Sequence, residues 1–309
     1  MKESKMFSGE GAPQPSSEEH SNEPSQSVLE GSELENRVEV PNLEKIRDQE
    51  ITRLTDFFGA EFMKEHGIEV PQIPEYVKPE QIERWKKQLF ELRYLPKVNM
   101  DNSLRLPGWE HKPDWDRTTN GGYNDTRMMH ENKTNPHLQD PHTGEYMDPS
   151  ELPGAWILFD CHNKPDYGAG SKRGLQLYDR DEMIQGVIYE ILESGIVSNE
   201  LVPSASRFSI HPEQFGPTAP FWQEFTAKMR EKLRLPPEAV VRLPRVIEAN
   251  VVLGQHGMWH KTNTGEWCEE KFGHRNRVAF GTSSDGGNGV IGYNQAAAWI
   301  GFRPVVMFS

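Results

Sequence analysis

The feature that most restricts the possible folds is the mixture of periods between residues 155 and 308. Residues 156–159 form a continuous apolar run, which predicts a buried strand. Two stretches with helical spacing of apolar residues follow, and short apolar segments then return between turns rich in glycine. Because helices and short strands occur in the same part of the chain, the sequence predicts an α+β domain.

Residues that favour helix ends mark the two predicted helices. Asp181 and Glu182 suit the start of the first helix, because acidic side chains are stabilised at a helix N-terminus, and Gly195 suits its end. The second helix has Thr218 as a candidate N-cap and Pro220 in its first turn. Strands are predicted, in chain order, at residues 206–210, at residues 240–253 with a break near Pro244, and at residues 300–308.

Residues 1–41 differ in composition from the rest of the chain. They are rich in Ser, Glu, Pro and Gly, so they would bury too little apolar surface to offset the entropy lost on ordering. The formal net charge of the chain is −13, and residues 1–50, with 12 acidic and five basic residues, contribute −7 of it. We therefore expect a disordered acidic arm. An acidic protein of this kind is not expected to attract nucleic acid or an anionic membrane non-specifically.

Residues 42–150 predict a small helical region followed by an irregular stretch. Apolar residues between Leu43 and Phe62 recur at helical spacing, and their aromatic stripe is interpreted as core in preference to a ligand site. Pro79 opens a second helix whose apolar positions extend to Leu92. Residues 96–150 show no sustained period, so they either contain a functional loop or have a structure that the pattern does not reveal.

Targeting signals and cysteines give information on the cellular location of the chain. The N-terminus lacks the apolar core of a signal peptide, and no run of 18 apolar residues is present. The expectation is no membrane insertion and, by default, a cytoplasmic protein, with export by another route left open. Cys161 and Cys268 are too few for a disulfide framework, and either two buried thiols or a single bridge fits the sequence.

Histidines occur in two groups that could suggest a metal site. His256 and His260 have the four-residue spacing of ligands on a helix, but Gly257 lies between them and makes a helix there improbable. The second group lies in a polar stretch and consists of His130, His137 and His142. Histidines on the surface or in packing contacts are favoured in both places, so no metal ligand is predicted.

Catalytic motifs, like metal sites, require particular residue types at particular spacings. Cys161 and His162 follow a predicted strand, and adjacent residues in extended chain point to opposite faces, so their side chains would not form a nucleophile pair. The sequence contains no phosphate-binding loop, no dinucleotide fingerprint and no serine-nucleophile motif. It therefore predicts no catalytic residue and no cofactor.

The last 44 residues carry the most specific pattern. It opens with Glu266-Trp267 and Phe272-Gly273, continues with a Gly286-Gly287 turn and closes with IGFRPVV at residues 300–306. The upstream segment RLPRVIE, residues 242–248, belongs to the same pattern. In order and spacing these motifs resemble the C-terminal variable segment in target proteins of diversity-generating retroelements. That family has the C-type-lectin-like fold shared with formylglycine-generating enzymes.

The resemblance implies both a fold and a function. The fold would be a C-type-lectin-like domain at residues 151–309, with two helices, short antiparallel strands and a variable segment at about residues 270–300. Residues 42–150 and the arm 1–41 would precede it. In that family, a reverse transcriptase misreads template adenines and rewrites selected codons. The protein would then be a non-enzymatic binding protein whose ligand is a macromolecule, expected to be a protein of unknown identity.

The resemblance also divides the variable segment into displayed and scaffold positions. Gln295 and Trp299 cannot arise from Asn codons by adenine randomisation, so they would belong to the scaffold. Arg303 would need a carboxylate or backbone carbonyls as partners, and Tyr293 is the expected contact anchor. The expected core residues are Trp267, Phe272, Ile300, Phe302, Val305 and Phe308. The candidate ligand-binding positions are His274, Asn276, Ala279, Thr282, Val290, Gly292, Tyr293, Asn294, Ala296 and Ala298.

Two alternatives share the expected fold. One is an adhesin or structural protein that carries the domain without diversification. The other is an oxidase of the formylglycine-generating type, whose chemistry relies on copper-bound cysteines near the C-terminus. Only Cys268 lies in that part of the chain, which disfavours the oxidase.

Overall fold

The computed structural model describes residues 42–100, 135–140, 143–162, 182–195, 219–255, 265–271, 276–280, 289–292 and 300–308. In these residues helices combine with mainly antiparallel strands, which confirms the predicted α+β class. The predicted disordered arm, the predicted strand at 206–210 and the candidate cap Thr218 lie outside the described residues.

The described elements number six α-helices, one 3₁₀ segment and eight strands. The helices are α1 Leu43–Phe58, α2 Ala60–Glu65, α3 Pro79–Lys87, α4 Glu182–Glu193, α5 Ala219–Leu233 and α6 Val246–Gln255, and the 3₁₀ segment is Pro136–Leu138. The strands are β1 Phe90–Leu95, β2 Ala155–Asp160, β3 Val240–Arg242, β4 Gly265–Lys271, β5 Asn276–Phe280, β6 Gly289–Gly292, β7 Ile300–Phe302 and β8 Val305–Phe308.

Helices α1 and α3 begin where the sequence predicts, but α3 ends earlier. The Asn42 side chain caps α1 by accepting a hydrogen bond of 2.8 Å from the backbone N–H of Glu44. Pro79 occupies the first turn of α3, as predicted. The prediction that this helix extends to Leu92 is wrong, because Leu89 has a φ of 58° and turns the chain into β1. Leu92 repeats the helical spacing by chance and lies in a strand.

The first sheet has the order β1-β2-β8-β3, with all neighbours antiparallel. Every residue of β2 is buried, which agrees with its unbroken apolar run. Helix α3 packs against this sheet: the Trp85 ring stacks on Phe308 at 5.5 Å between centroids. The Trp85 indole also donates a 2.9 Å hydrogen bond to the carbonyl of Leu233 in α5. These contacts join α3, β8 and α5 in one core.

The second sheet has the order β6-β5-β4-β7, and β4 and β7 are its parallel pair. The single strand predicted at residues 300–308 is therefore two strands that belong to different sheets. The chain passes between the sheets at Arg303 and Pro304. Proline has no N–H to continue a ladder, which explains why the strand is interrupted there.

The predicted strand at residues 240–253 is only partly correct. Residues 240–242 form β3, but residues 246–255 form helix α6. The error has a physical cause: Val246, Ile247, Ala249, Val251 and Val252 are all fully buried, so the segment is apolar on every side and shows no helical period. Among the described residues, no helix is both long and apolar enough to cross a lipid bilayer.

Candidate functional site

Four of the ten candidate ligand-binding positions lie in the antiparallel pair β5–β6. Asn276 and Ala279 lie in β5, and Val290 and Gly292 lie in β6. The other six positions lie outside the described residues: His274, Thr282, Tyr293, Asn294, Ala296 and Ala298.

The register of β5 and β6 assigns these four positions to the two faces of the ladder. Asn276 is the direct partner of Gly292, and Val278 is the partner of Val290. Direct partners and residues two apart along a strand share a face. Asn276, Val290 and Gly292 therefore lie on one face, and Ala279 lies on the other.

The base of the segment that contains these positions is closed by the ion pair of Glu266 and Arg303. Arg303 donates hydrogen bonds of 2.9 Å from Nε and from Nη2 to the two carboxylate oxygens of Glu266. Its exposed fraction is 0%. The same guanidinium donates to the carbonyls of Asp160 and His162 at the end of β2. The prediction that Arg303 needs a carboxylate or carbonyl partner is confirmed on both counts.

Burial and charge act in opposite directions on Arg303. Burial alone would lower the pKa of its guanidinium, but the negative charges of Glu266 and Asp160 outweigh burial and raise it. The backbone closes the same junction, because β4 and β7 pair in parallel with Glu266 opposite Gly301 and Trp267 opposite Phe302. The ion pair and the backbone pairing thus hold residues 266 and 303 together at one point.

A second buried ionic group lies between β3 and the start of α6. Arg242 donates to both carboxylate oxygens of Glu248, at 2.7 and 2.5 Å. Burial alone would raise the pKa of Glu248, but the guanidinium of Arg242 outweighs it and holds the pKa below its ordinary value. Glu248 also accepts the backbone N–H of Arg245 at 2.8 Å, as the acidic residue of a capping box does at a helix start.

Arg245 ties the same helix start to the loop before β2. Its Nη1 donates to the carbonyl of Glu151 at 2.6 Å, and its Nη2 donates to the carbonyl of Asp148 at 2.7 Å. The RLPRVIE segment thus uses its two arginines and its glutamate to fix the position of α6. Their place in the family pattern gave no indication of this structural role.

Two adjacent carboxylates of β4 dock onto this helix start. Glu269 accepts the backbone N–H of Leu243 at 2.9 Å, and Glu270 accepts the backbone N–H of Val246 at 3.1 and 3.0 Å. Both carboxylates are buried although they are neighbours, because the register of β4 against β5 shifts between Trp267 and Lys271. Desolvation by burial raises the pKa of Glu270 to about 7.

The residues considered for chemistry have structural partners. Cys161 and Cys268 are both thiols. Burial raises the pKa of Cys161 to about 12, so this group is almost entirely protonated near neutral pH and is a poor nucleophile. The neighbouring His162 places Nδ1 at 2.6 Å from the carboxylate of Asp160. Of the histidines considered as ligands, His137 is described, and no group of three potential metal ligands occurs among the described residues.

The chain was compared with protein families, curated proteins and solved structures. No protein-family model, no curated protein and no solved structure matches the chain.

Proposed function

We propose that this chain is a non-enzymatic binding protein that displays a diversified recognition surface on a C-type-lectin-like scaffold. Its ligand would be another protein, contacted through the ten candidate positions of the variable segment. The observation that carries this proposal is the closed base of the segment, where the buried ion pair of Glu266 and Arg303 joins its two ends.

The closed base supports display for an energetic reason. A segment that must tolerate many sequences can do so only if its own side chains are not what holds it on the core. Here the anchoring groups lie at positions 266, 269, 270 and 303, at or beyond the two ends of the variable segment. Asn276, Ala279, Val290 and Gly292 lie on β5 and β6, one and two strands away from β4.

The chain order of the elements supports the C-type-lectin-like assignment. The last strand, β8, pairs antiparallel with β2, so the two ends of the proposed domain meet in one sheet. Helices α4 and α5 follow β2, and the second sheet is inserted before β8. The resemblance implies two helices and short antiparallel strands; α6 is a third described helix between β2 and β8 and has no counterpart in that expectation.

The decisive experiment is to sequence the DNA next to the gene. We expect a near-copy of the codons for residues 270–305 that differs where the copy has adenine, together with a reverse transcriptase gene. An intact locus without such a repeat would refute diversification. It would leave a fixed lectin-like adhesin as the function to be tested by ligand capture with the purified chain.

A library experiment tests display without the locus. One library randomises the ten candidate positions, and a matched library randomises ten exposed helix positions: Glu44, Lys45, Asp48, Gln49, Thr52, Asp56, Ala60, Glu61, Lys64 and Glu65. A third library randomises buried Cys268, Val305, Val306 and Phe308. We expect the first library to yield folded, protease-resistant members as often as the second. A folded fraction as low as that of the third library would show that the ten positions are scaffold.

A further inference from the structure

The buried charges that join the two sheets are not balanced around Glu270. Near the start of α6 the described side chains supply three buried carboxylates, Glu248, Glu269 and Glu270, and two buried guanidiniums, Arg242 and Arg245. Arg242 is engaged with Glu248 through two hydrogen bonds. Arg245 is therefore the buried guanidinium that could compensate the charge of Glu270.

The geometry of Arg245 keeps it from compensating Glu270 fully. Its two terminal nitrogens donate to the carbonyls of Asp148 and Glu151. Its Nε lies 3.8 Å from the nearest oxygen of Glu270, which is beyond hydrogen-bond distance, and it has no hydrogen-bond partner among the described residues. An ionised Glu270 would thus be a buried charge with an incomplete ion pair, which is costly.

Among the described side chains, those of Glu248 and Tyr146 do not relieve this cost. Glu248 repels its charge, and the hydroxyl of Tyr146 is itself a buried acid whose pKa burial and Glu270 raise to about 12. His137 lies on the 3₁₀ segment that packs against β4. On β5, Arg277 is the register partner of Lys271, the residue after Glu270.

Glu270 is also placed where a change in its charge has a mechanical consequence. It is the first residue of the variable segment, and its carboxyl group holds the first N–H of α6. We propose that Glu270 is a proton-controlled latch between β4 and the start of α6, closed when its carboxyl group is protonated and weakened when it is ionised, because the cost of burying the charge exceeds the gain from the stronger hydrogen bond that a carboxylate accepts from Val246. That the latch regulates ligand binding rests on the function proposed above; the latch itself does not.

Hydrogen exchange measured on the full chain tests the latch. Amide protection in β4 and β5 is compared at about pH 5.5 and about pH 8.5, after correction for intrinsic exchange rates. A pKa of about 7 in the folded state against 4.5 otherwise predicts about 30-fold lower protection at the higher pH. Glu270→Gln should remove this difference, and the matched control His137→Gln should keep it.

Different results of this experiment support or overturn the latch. A wild-type difference that persists in Glu270→Gln, a wild-type difference below about threefold, or higher protection at high pH overturns the latch. If Glu270→Gln does not fold, the latch is tested in the wild-type chain by NMR titration of ¹³C-labelled glutamate carboxyl groups. A carboxyl with a midpoint near 7 that coincides with the loss of protection supports the latch, and titration of every carboxyl well below that pH refutes it.

Failure of the latch and failure of the proposed function give different results. The exchange experiment contains no ligand and reports only on β4 and β5. The locus and library experiments report only on the variable positions. A pH-dependent latch without a template repeat would leave a proton-sensitive fold whose surface is not diversified.

Discussion

Replacing Glu266 by Gln should be among the most destabilising single changes in the second sheet. The substitution keeps the shape of the side chain but removes the charge that faces Arg303, whose exposed fraction is 0%. Breaking a buried pair by removing one partner costs about 3–5 kcal/mol, because the remaining charge stays buried. Arg303 keeps the carbonyls of Asp160 and His162, and the Asp160 carboxylate lies 3.6 Å away. The expected loss is therefore at the lower end, about 3 kcal/mol.

The assay is urea unfolding followed by tryptophan fluorescence, with the free energy of unfolding obtained by linear extrapolation. The matched control is Glu190→Gln, which removes a carboxylate that contacts Lys228 and Lys232 on the exposed faces of α4 and α5. Exposed pairs are screened by water and contribute little, so the control should lose much less stability. Equal losses in the two variants, or a loss below about 1 kcal/mol in Glu266→Gln, would refute the argument that this pair closes the segment.

Three further predictions follow from single contacts. For Glu270, a pKa raised to about 7 means that the folded state binds a proton more tightly than the unfolded chain. The free energy of unfolding should then fall by about 2 kcal/mol between about pH 5.5 and pH 8.5, measured by urea unfolding at each pH, and should not do so in Glu270→Gln. Trp85→Phe should destabilise the chain by about 1–3 kcal/mol in thermal unfolding, because it leaves the carbonyl of Leu233 without its 2.9 Å donor; an unchanged melting temperature would contradict this. Cys161, with a pKa of about 12 against 9.0 in its ordinary state, should react with iodoacetamide on the order of a thousandfold more slowly than an exposed thiol at pH 8, and rapid labelling under native conditions would show that the site opens.

The sequence predicts local structure well where one residue decides it. Pro79 begins α3, and Gly195 follows α4 with a φ of 66°, the left-handed conformation that ends helices. Prediction from the sequence fails where tertiary contacts determine the local structure. Helix α6 begins at Val246 because Glu248 and Glu270 satisfy backbone N–H groups at its start. Neither interaction is visible in a run of β-branched residues.

The candidate site was predictable in part for the same reason. Arg303 stands among apolar residues near the end of the chain, so a need for partners could be inferred from the sequence alone. Its partner Glu266 is 37 residues away, and no local pattern identifies a contact of that separation. The two adjacent buried carboxylates of β4, Glu269 and Glu270, were missed because a regular strand would expose one of two neighbours. The irregular register that buries both is a property of the ladder with β5.

The buried pairs Glu266–Arg303 and Glu270–Arg245 stabilise different contacts in the fold. Glu266 and Arg303 form a complete pair, and they join the two ends of the segment 266–303 that contains the proposed display positions. Glu270 forms an incomplete pair with Arg245, and it fixes how the first strand of that segment meets α6. A complete buried pair holds its geometry over a wide pH range, whereas an incomplete one changes its energy when a single proton is lost. The attachment of the segment should therefore be constant, and its internal docking should respond to pH.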